Sequence, residues 1–355
     1  MKESDIASII GQELDSNITT ILQNRLSLLS EWRILVKDNF EHLNYVLDKL
    51  DERLITSDHW LFITYDELDR LLTTYNALAN PIRELLAFWL ERSRRWERIR
   101  PKIFLRTDLF REEFLGFPDA SKLQSHRLEW RPSWLYQLWI KRLANSAQEM
   151  RDYLQIIPNL IYESSTQLGW NVRSDEQLFQ ELIEIMIGKY MGASPKKGIT
   201  YRWIPNHLQD TGGRIAPRSF LKLFDKAAAK RLEHFESFEQ LTELYLLQPS
   251  DLQSALMDTS EDRIKELAQE EYSWLESLKT NLEGLEAPIL KETFLEAVRS
   301  TKWEKLPPVT EPEGIMQYLI QLGVVESRLD GRINIPEIYL YGFKVKRRGG
   351  VKRPQ

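Results

Sequence analysis

The strongest constraint on what this chain can fold into is a short apolar run that ends abruptly in carboxylates. Residues 59–71 read H-W-L-F-I-T-Y-D-E-L-D-R-L, so Asp66, Glu67, Asp69 and Arg70 come directly after a stretch rich in β-branched and aromatic side chains. A run of this length between polar residues has the pattern of a buried strand. In a parallel sheet such a strand delivers the next few residues to the C-terminal rim, where α/β proteins bind ligands. Two adjacent carboxylates at that rim suit Mg²⁺, a hard ion that takes oxygen ligands, and a base that orients water. The same pair would also serve as the acidic first turn of a helix, because carboxylates favour a helix N-terminus. The rest of the chain has to separate these readings.

Its length of 355 residues predicts two or three domains with a sizeable core. A net charge of −5 argues against a globally basic nucleic-acid binder while leaving local patches open. There is no cysteine, which excludes disulfides, thiolate metal sites and thiol nucleophiles. The histidines, at 42, 59, 126, 207 and 234, lack metal-ligand spacing and are read as structural. No signal-peptide layout opens the chain and no apolar run reaches membrane-spanning length, so a cytoplasmic protein of bacterial type without membrane contact is expected.

Residues 1–55 carry apolar positions at mixed three-and-four spacing, from Ile6, Ile9 and Ile10 through Leu22, Leu26 and Leu29 to Leu43, Val46, Leu47 and Leu50, and are predicted helical. Pro81 is expected to open a helix through Arg98, with Leu85, Trp89 and Trp96 on one side. Its basic end (Arg92, Arg94, Arg95, Arg98, Arg100, Lys102) would either contact phosphate or nucleic acid or complement the helix dipole. A second strand is predicted at residues 102–105, K-I-F-L, closed by Arg106, Thr107 and Asp108, and a third at residues 127–130. A helical crossover between parallel strands would set their polar ends on one rim. Residues 132–190 are expected to be helical, residues 192–217 a Gly- and Pro-rich loop, and Pro217 the start of a further helix. Two or three amphipathic helices are expected over residues 236–283. Beyond them come helices at residues 290–299 and 313–322, then a hairpin around Asp330-Gly331. Helix, helix and hairpin outline a winged helix, with a tail containing Lys344, Lys346, Arg347 and Arg348.

Taken in order, these pieces resemble the latter part of an AAA+/STAND-type P-loop ATPase. The apolar strand with Asp66-Glu67 is similar to a Walker B motif, and the L-D-R after it is similar to KAP-like bacterial STAND ATPases. Next come a polar-tipped strand, a short strand, a helical lid and G-G-R-I-A-P-R. The likeness covers roughly residues 55–235. It implies an α/β, predominantly helical fold with a partial parallel sheet of a P-loop ATPase core over 1–130, a helical lid over 131–235, and a helical linker with a C-terminal winged helix over 236–355. By that likeness Asp66 would hold Mg²⁺ through water and Glu67 would orient the attacking water. Arg106, with Thr107, would occupy the first sensor position, and Arg218 the second, with Arg214 as its competitor.

One departure is large. The chain holds no G-x-x-x-x-G-K-[ST], and Gly11 is the only glycine before Gly116. A phosphate cradle needs glycines so that backbone N–H groups can close on phosphate. ATP and Mg²⁺ binding is therefore expected only with a P-loop-bearing segment or subunit from elsewhere, and an incomplete sheet predicts an edge prone to oligomerise. The competing readings are a non-catalytic regulatory scaffold and a winged-helix protein- or DNA-interaction module. In the second, the four tail cations would make weak phosphate contacts. Against sequence-specific DNA reading, the expected recognition helix, G-I-M-Q-Y-L-I-Q-L-G, has no Lys or Arg for base edges.

Overall fold

The computed structural model describes residues 36–68, 75–105, 110, 128–164, 169–233 and 245–348, those at 75–79 and 270–271 in backbone only. It is predominantly helical, with small two-stranded sheets. The chain divides into two compact units, residues 1–127 and 128–355.

In the first unit, α1 (Phe40–Thr56) leads to β1 (Leu61–Tyr65), α2 (Tyr75–Arg95) and β2 (Ile99–Ile103). Val46, Leu50 and Leu54 recur every four residues and bury one stripe of α1. Leu50 and Leu54 pack with Trp89, Trp96 and Ile99, and Leu61, Ile63, Tyr65 and Ile103 close the cluster from the sheet. Both helices thus lie on one face of a parallel pair whose register runs from Leu61–Ile99 to Tyr65–Ile103. The expected strand at 60–65 is present, but it is not buried on both faces: Phe62 and Thr64 alternate outward. The second strand lies three residues earlier than expected. Pro81 sits inside α2 rather than at its start, since a proline in a helix forfeits one hydrogen bond without forbidding the turn before it.

The expected third strand is not formed: residues 128–130 belong to the second unit and pair with no strand, and Arg127 lies outside the described residues. Residues 1–35 of the expected N-terminal helices lie outside them as well.

The second unit has one continuous core from Leu135 to Val345. It begins with α3 (Pro132–Ala144) and α4 (Gln148–Leu154), then a hairpin, β3 (Ile161–Glu163) with β4 (Trp170–Val172), where continuous helix was expected. Next come α5 (Glu176–Met186) and α6 (Thr200–Leu208), the latter inside the expected loop and containing Pro205. Tyr136 of α3 stacks on Tyr201 of α6 at 4.3 Å and donates its hydroxyl to the Tyr201 carbonyl at 2.7 Å. Burial pushes the Tyr136 phenol well above its ordinary pKa.

Helices α7 (Pro217–Glu233) and α8 (Pro249–Glu266) come next, the latter continuing into a π turn at Leu267–Glu271, and then α9 (Leu275–Leu282). The C-terminal part holds β5 (Glu286–Ala287), α10 (Lys291–Arg299), α11 (Pro312–Gln321), the hairpin β6 (Glu326–Ser327)–β7 (Ile333–Asn334), α12 (Glu337–Leu340) and β8 (Lys346–Arg347). Ile289, just before α10, bridges to Ile333, and β8 runs parallel to β5. Gly342 lets the turn after α12 lie against α8, its N–H donating to Ser260 Oγ at 2.9 Å.

Candidate functional site

Asp66 and Glu67 lie immediately beyond the C-terminal end of β1, and both are exposed. The Phe104 N–H donates to the Tyr65 carbonyl at 2.9 Å, so the two parallel strands are still paired where the carboxylates begin. Asp66 accepts the Glu67 N–H at 2.8 Å, and Glu67 takes a left-handed conformation, φ +55°. A non-glycine residue there carries strain of the kind that collects at functional turns. Two carboxylates supply only part of the oxygen shell Mg²⁺ demands, which suits an ion whose remaining ligands are phosphate and water. Arg106 and Thr107, the expected first-sensor residues, lie outside the described residues.

The α2–β2 connection, at the opposite end of the strand pair from this rim, is held by α1. Asp51, almost fully buried, accepts the N–H groups of Glu97 (2.8 Å), Arg98 (2.7 Å) and Ile99 (3.1 Å). One turn earlier, Asp48 takes a forked contact from Arg95 and the Trp96 indole N–H at 2.9 Å. The Arg95 hydrogen bond, outweighing burial, holds the Asp48 carboxyl below its ordinary range. The basic run is largely committed. Arg92 is buried over the rings of Phe40, Phe88 and Trp96, Arg98 pairs with Asp58 at 2.9 Å, and Arg100 turns back onto the carbonyls of Ser93 and Trp96. Arg100 therefore caps the exposed carbonyl end of α2.

The expected second-sensor residues belong to the second unit. Arg214 is held by its own loop: its N–H and Nε donate to Asp210 at 2.9 and 2.8 Å, and Asp210 also accepts the Gly212 N–H. Arg218, on the first turn of α7, stands 3.7 Å from Glu266. It begins a ladder that apolar periodicity does not reveal. Lys222 bridges Glu266 (2.7 Å) and Asp262 (3.1 Å), Lys226 reaches Asp262 (3.1 Å) and Lys230 reaches Asp258 (3.3 Å). The rungs rise along α7 as they fall along α8, so the helices run antiparallel. Hydrogen bonding to Glu266, ahead of an opposing burial effect, raises the Lys222 pKa. Burial would raise Asp262, but hydrogen bonds from Lys222 and Lys226 outweigh it and the net shift is downward. Four-residue spacing on both helices was the available signal.

The tail cations have unequal surroundings. Lys344 pairs with Glu283 at 2.9 Å. Arg347 donates to Asn334 Oδ1 (2.8 Å) and the Ile335 carbonyl (3.0 Å), and its Nε lies 3.7 Å from Glu337. Glu337 in turn meets His207 Nε2 at 3.0 Å, while His207 Nδ1 lies 2.7 Å from the Trp203 carbonyl and must donate to it. Arg347 is therefore built into a polar web joining α6, β7, α12 and β8. Lys346 and Arg348 are exposed.

Among the described residues, no helix is long and apolar enough to cross a membrane. Set against known protein families, curated proteins and solved structures, the chain finds no match.

Proposed function

We propose that this chain is an AAA+/STAND-like P-loop ATPase module in which ATP hydrolysis drives a conformational switch, and in which the P-loop comes from a segment or subunit beyond these 355 residues. The observation that carries the reading is the placement of Asp66 and Glu67 at the C-terminal rim of a parallel β–α–β pair. In this reading Asp66 holds Mg²⁺ through water and Glu67 orients the attacking water; the ion would screen phosphate charge. By the same resemblance Arg218 would be the second sensor, with Arg214 as its competitor.

A second reading, a winged-helix interaction module, has its own support. Helices α10 and α11 precede the Asp330-Gly331 hairpin, and the Ile289–Ile333 bridge ties the segment before α10 to that hairpin. The winged helix is compatible with the ATPase reading as an appended domain.

The test joins the chain to a Walker A segment and its preceding strand, then measures nucleotide binding and phosphate release. Glu67→Gln should retain nucleotide and lose turnover by about 100-fold or more. Unchanged turnover removes Glu67 from the mechanism, and micromolar ATP affinity in the chain alone overturns the need for an outside P-loop.

A further inference from the structure

Among the described residues the β1–β2 sheet is covered on one face only. Parallel sheets are normally covered on both, because the crossovers that build them place helices there. Here α1 and α2 share the face lined by Leu61, Ile63, Tyr65 and Ile103. By register the opposite face carries Trp60, Phe62 and Thr64 on one side and Arg100, Lys102 and Phe104 on the other, with the Arg100 guanidinium turned back onto the Ser93 and Trp96 carbonyls. Trp60, Phe62 and Phe104 are 51%, 50% and 46% exposed. Trp60 and Phe62 stack nearly parallel at 6.1 Å, and Lys102 Nζ stands 4.9 Å over the Phe62 ring. Among the described residues no carboxylate pairs with Lys102, whereas Arg98 at the margin already pairs with Asp58. Each strand also keeps one unpaired edge among the described residues.

Three exposed rings around one uncommitted cation constrain the occupant. A nucleic-acid strand would need several cations for its phosphates; Arg98, over the Trp60 ring, is held by Asp58 and Arg100 by the Ser93 and Trp96 carbonyls, which leaves Lys102 as the uncommitted cation among the described residues. A second copy of the same face would set Lys102 against a like charge. An apolar helix with an acidic residue at the right position satisfies both the rings and the lysine.

We propose that the open face of the β1–β2 sheet docks an amphipathic helix of a partner polypeptide, whose apolar stripe covers Trp60, Phe62 and Phe104 and whose carboxylate pairs with Lys102. The inference rests on the view of β1–β2 as part of a larger sheet, which is the partner half of the proposed function. Nucleotide has no role in its test, so failure of the ATPase reading leaves it standing.

The test uses the full chain and three fluorescent probes. Two are short amphipathic helices of leucine, one with glutamate and one with lysine on the polar face, and the third is single-stranded oligothymidylate. The glutamate helix should bind at least about tenfold tighter than the lysine helix. Phe62→Ser should abolish binding while leaving amide exchange in β1 and β2 unchanged, since Phe62 is outside the core. Lys102→Glu should reverse the preference between the two helices, a result that a misfolded variant could not give. The proposal is overturned if neither helix binds, if the wild type does not discriminate between them, or if Phe62→Ser binds as the wild type does. It is equally overturned by oligothymidylate binding that Lys102→Glu removes, or by self-association that Phe62→Ser removes, which would make nucleic acid or a second copy the occupant.

Discussion

Replacing Asp51 by alanine should unfasten the first unit and leave the second intact. Its carboxylate accepts three consecutive backbone N–H groups at the α2–β2 connection. Hydrogen bonds to a charged acceptor contribute about 1.5–3 kcal/mol each. Simple addition overstates the loss, because the three donors differ in what they regain. The N–H groups of Glu97 and Arg98 lie in partly buried positions and recover water when the carboxylate is gone. The Ile99 N–H is buried and recovers nothing. Full desolvation cost for Ile99, and about a kilocalorie for each of the others, gives a loss of roughly 3–5 kcal/mol. That is a large fraction of the stability of any small unit. The readout is amide exchange of Leu61 and Phe104, whose N–H groups bond to Arg98 and Tyr65 across and beyond the β1–β2 pair. In Asp51→Ala both should lose protection by a factor of several hundred or more, while amides in α7 and α8 keep theirs. Asp51→Asn, which retains one acceptor oxygen, should fall between. Unchanged protection of Leu61 and Phe104 in Asp51→Ala would refute the idea that this carboxylate fixes the strand pair.

Gly342→Ala should destabilise the second unit by about 1–3 kcal/mol in urea denaturation, since a Cβ there would stand 2.6 Å from the Ser260 carbonyl and 2.5 Å from Ile264 Cγ1. The folded-state pKa of Asp262 lies below its usual 3.8, so its contribution is present above that value and is lost as pH falls through the lowered pKa. Urea midpoints at pH 7 and pH 3 should therefore differ less in Asp262→Asn than in the wild type, with a cost at pH 7 of about 1 kcal/mol. For DNA, Lys346→Ala with Arg348→Ala should weaken any low-salt binding by the tail, because these are exposed and, unlike Lys344, pair with no carboxylate among the described residues. Arg347→Ala should instead show first as lowered thermal stability, through the loss of its bonds to Asn334 and Ile335.

Local chemistry explains which elements are legible in the sequence. The run at 60–65, Pro217 before an apolar stripe, and Asp330-Gly331 between alternating residues each carry their signal within a few positions, and they become β1, α7 and the β6–β7 hairpin. Strand β2 is expected too late in the chain because Pro101 counts against a strand interior. In a two-stranded sheet, however, every strand has an open edge where proline's missing N–H is tolerated. Helix α6 is hidden for a related reason: Pro205 and the surrounding glycines outweigh Tyr201, Ile204 and Leu208, whose burial organises that turn. The lysine stripe on α7 is written at four-residue spacing, but an apolar search passes over it. Asp51 cannot be found locally, since its partners are 46 to 48 residues away. Of the candidate site, Asp66 and Glu67 are legible because they end a strand. The commitment of Arg214 to Asp210 is a local loop contact that an apolar search passes over, whereas that of Arg347 to the C-terminal web depends on tertiary contacts.

The balance of forces in the first unit also bears on how the rim would be used. The cluster packed against its sheet holds five buried apolar side chains, so apolar burial alone leaves β1 and β2 weakly fixed, and Asp48 and Asp51 supply part of what packing does elsewhere. A partner that binds the open face only when the sheet is formed adds stability by mass action, about 2.7 kcal/mol at a hundredfold excess over its Kd. That gain falls on the same strands that carry Asp66 and Glu67. A ligand that draws the two carboxylates together at the rim depends on the same strand pairing. Both events therefore favour one conformation of one small sheet, and each must tighten the other by an equal factor. Under the proposed function, partner docking and nucleotide binding are then thermodynamically coupled through β1, and weakening Asp51 should lower both affinities together.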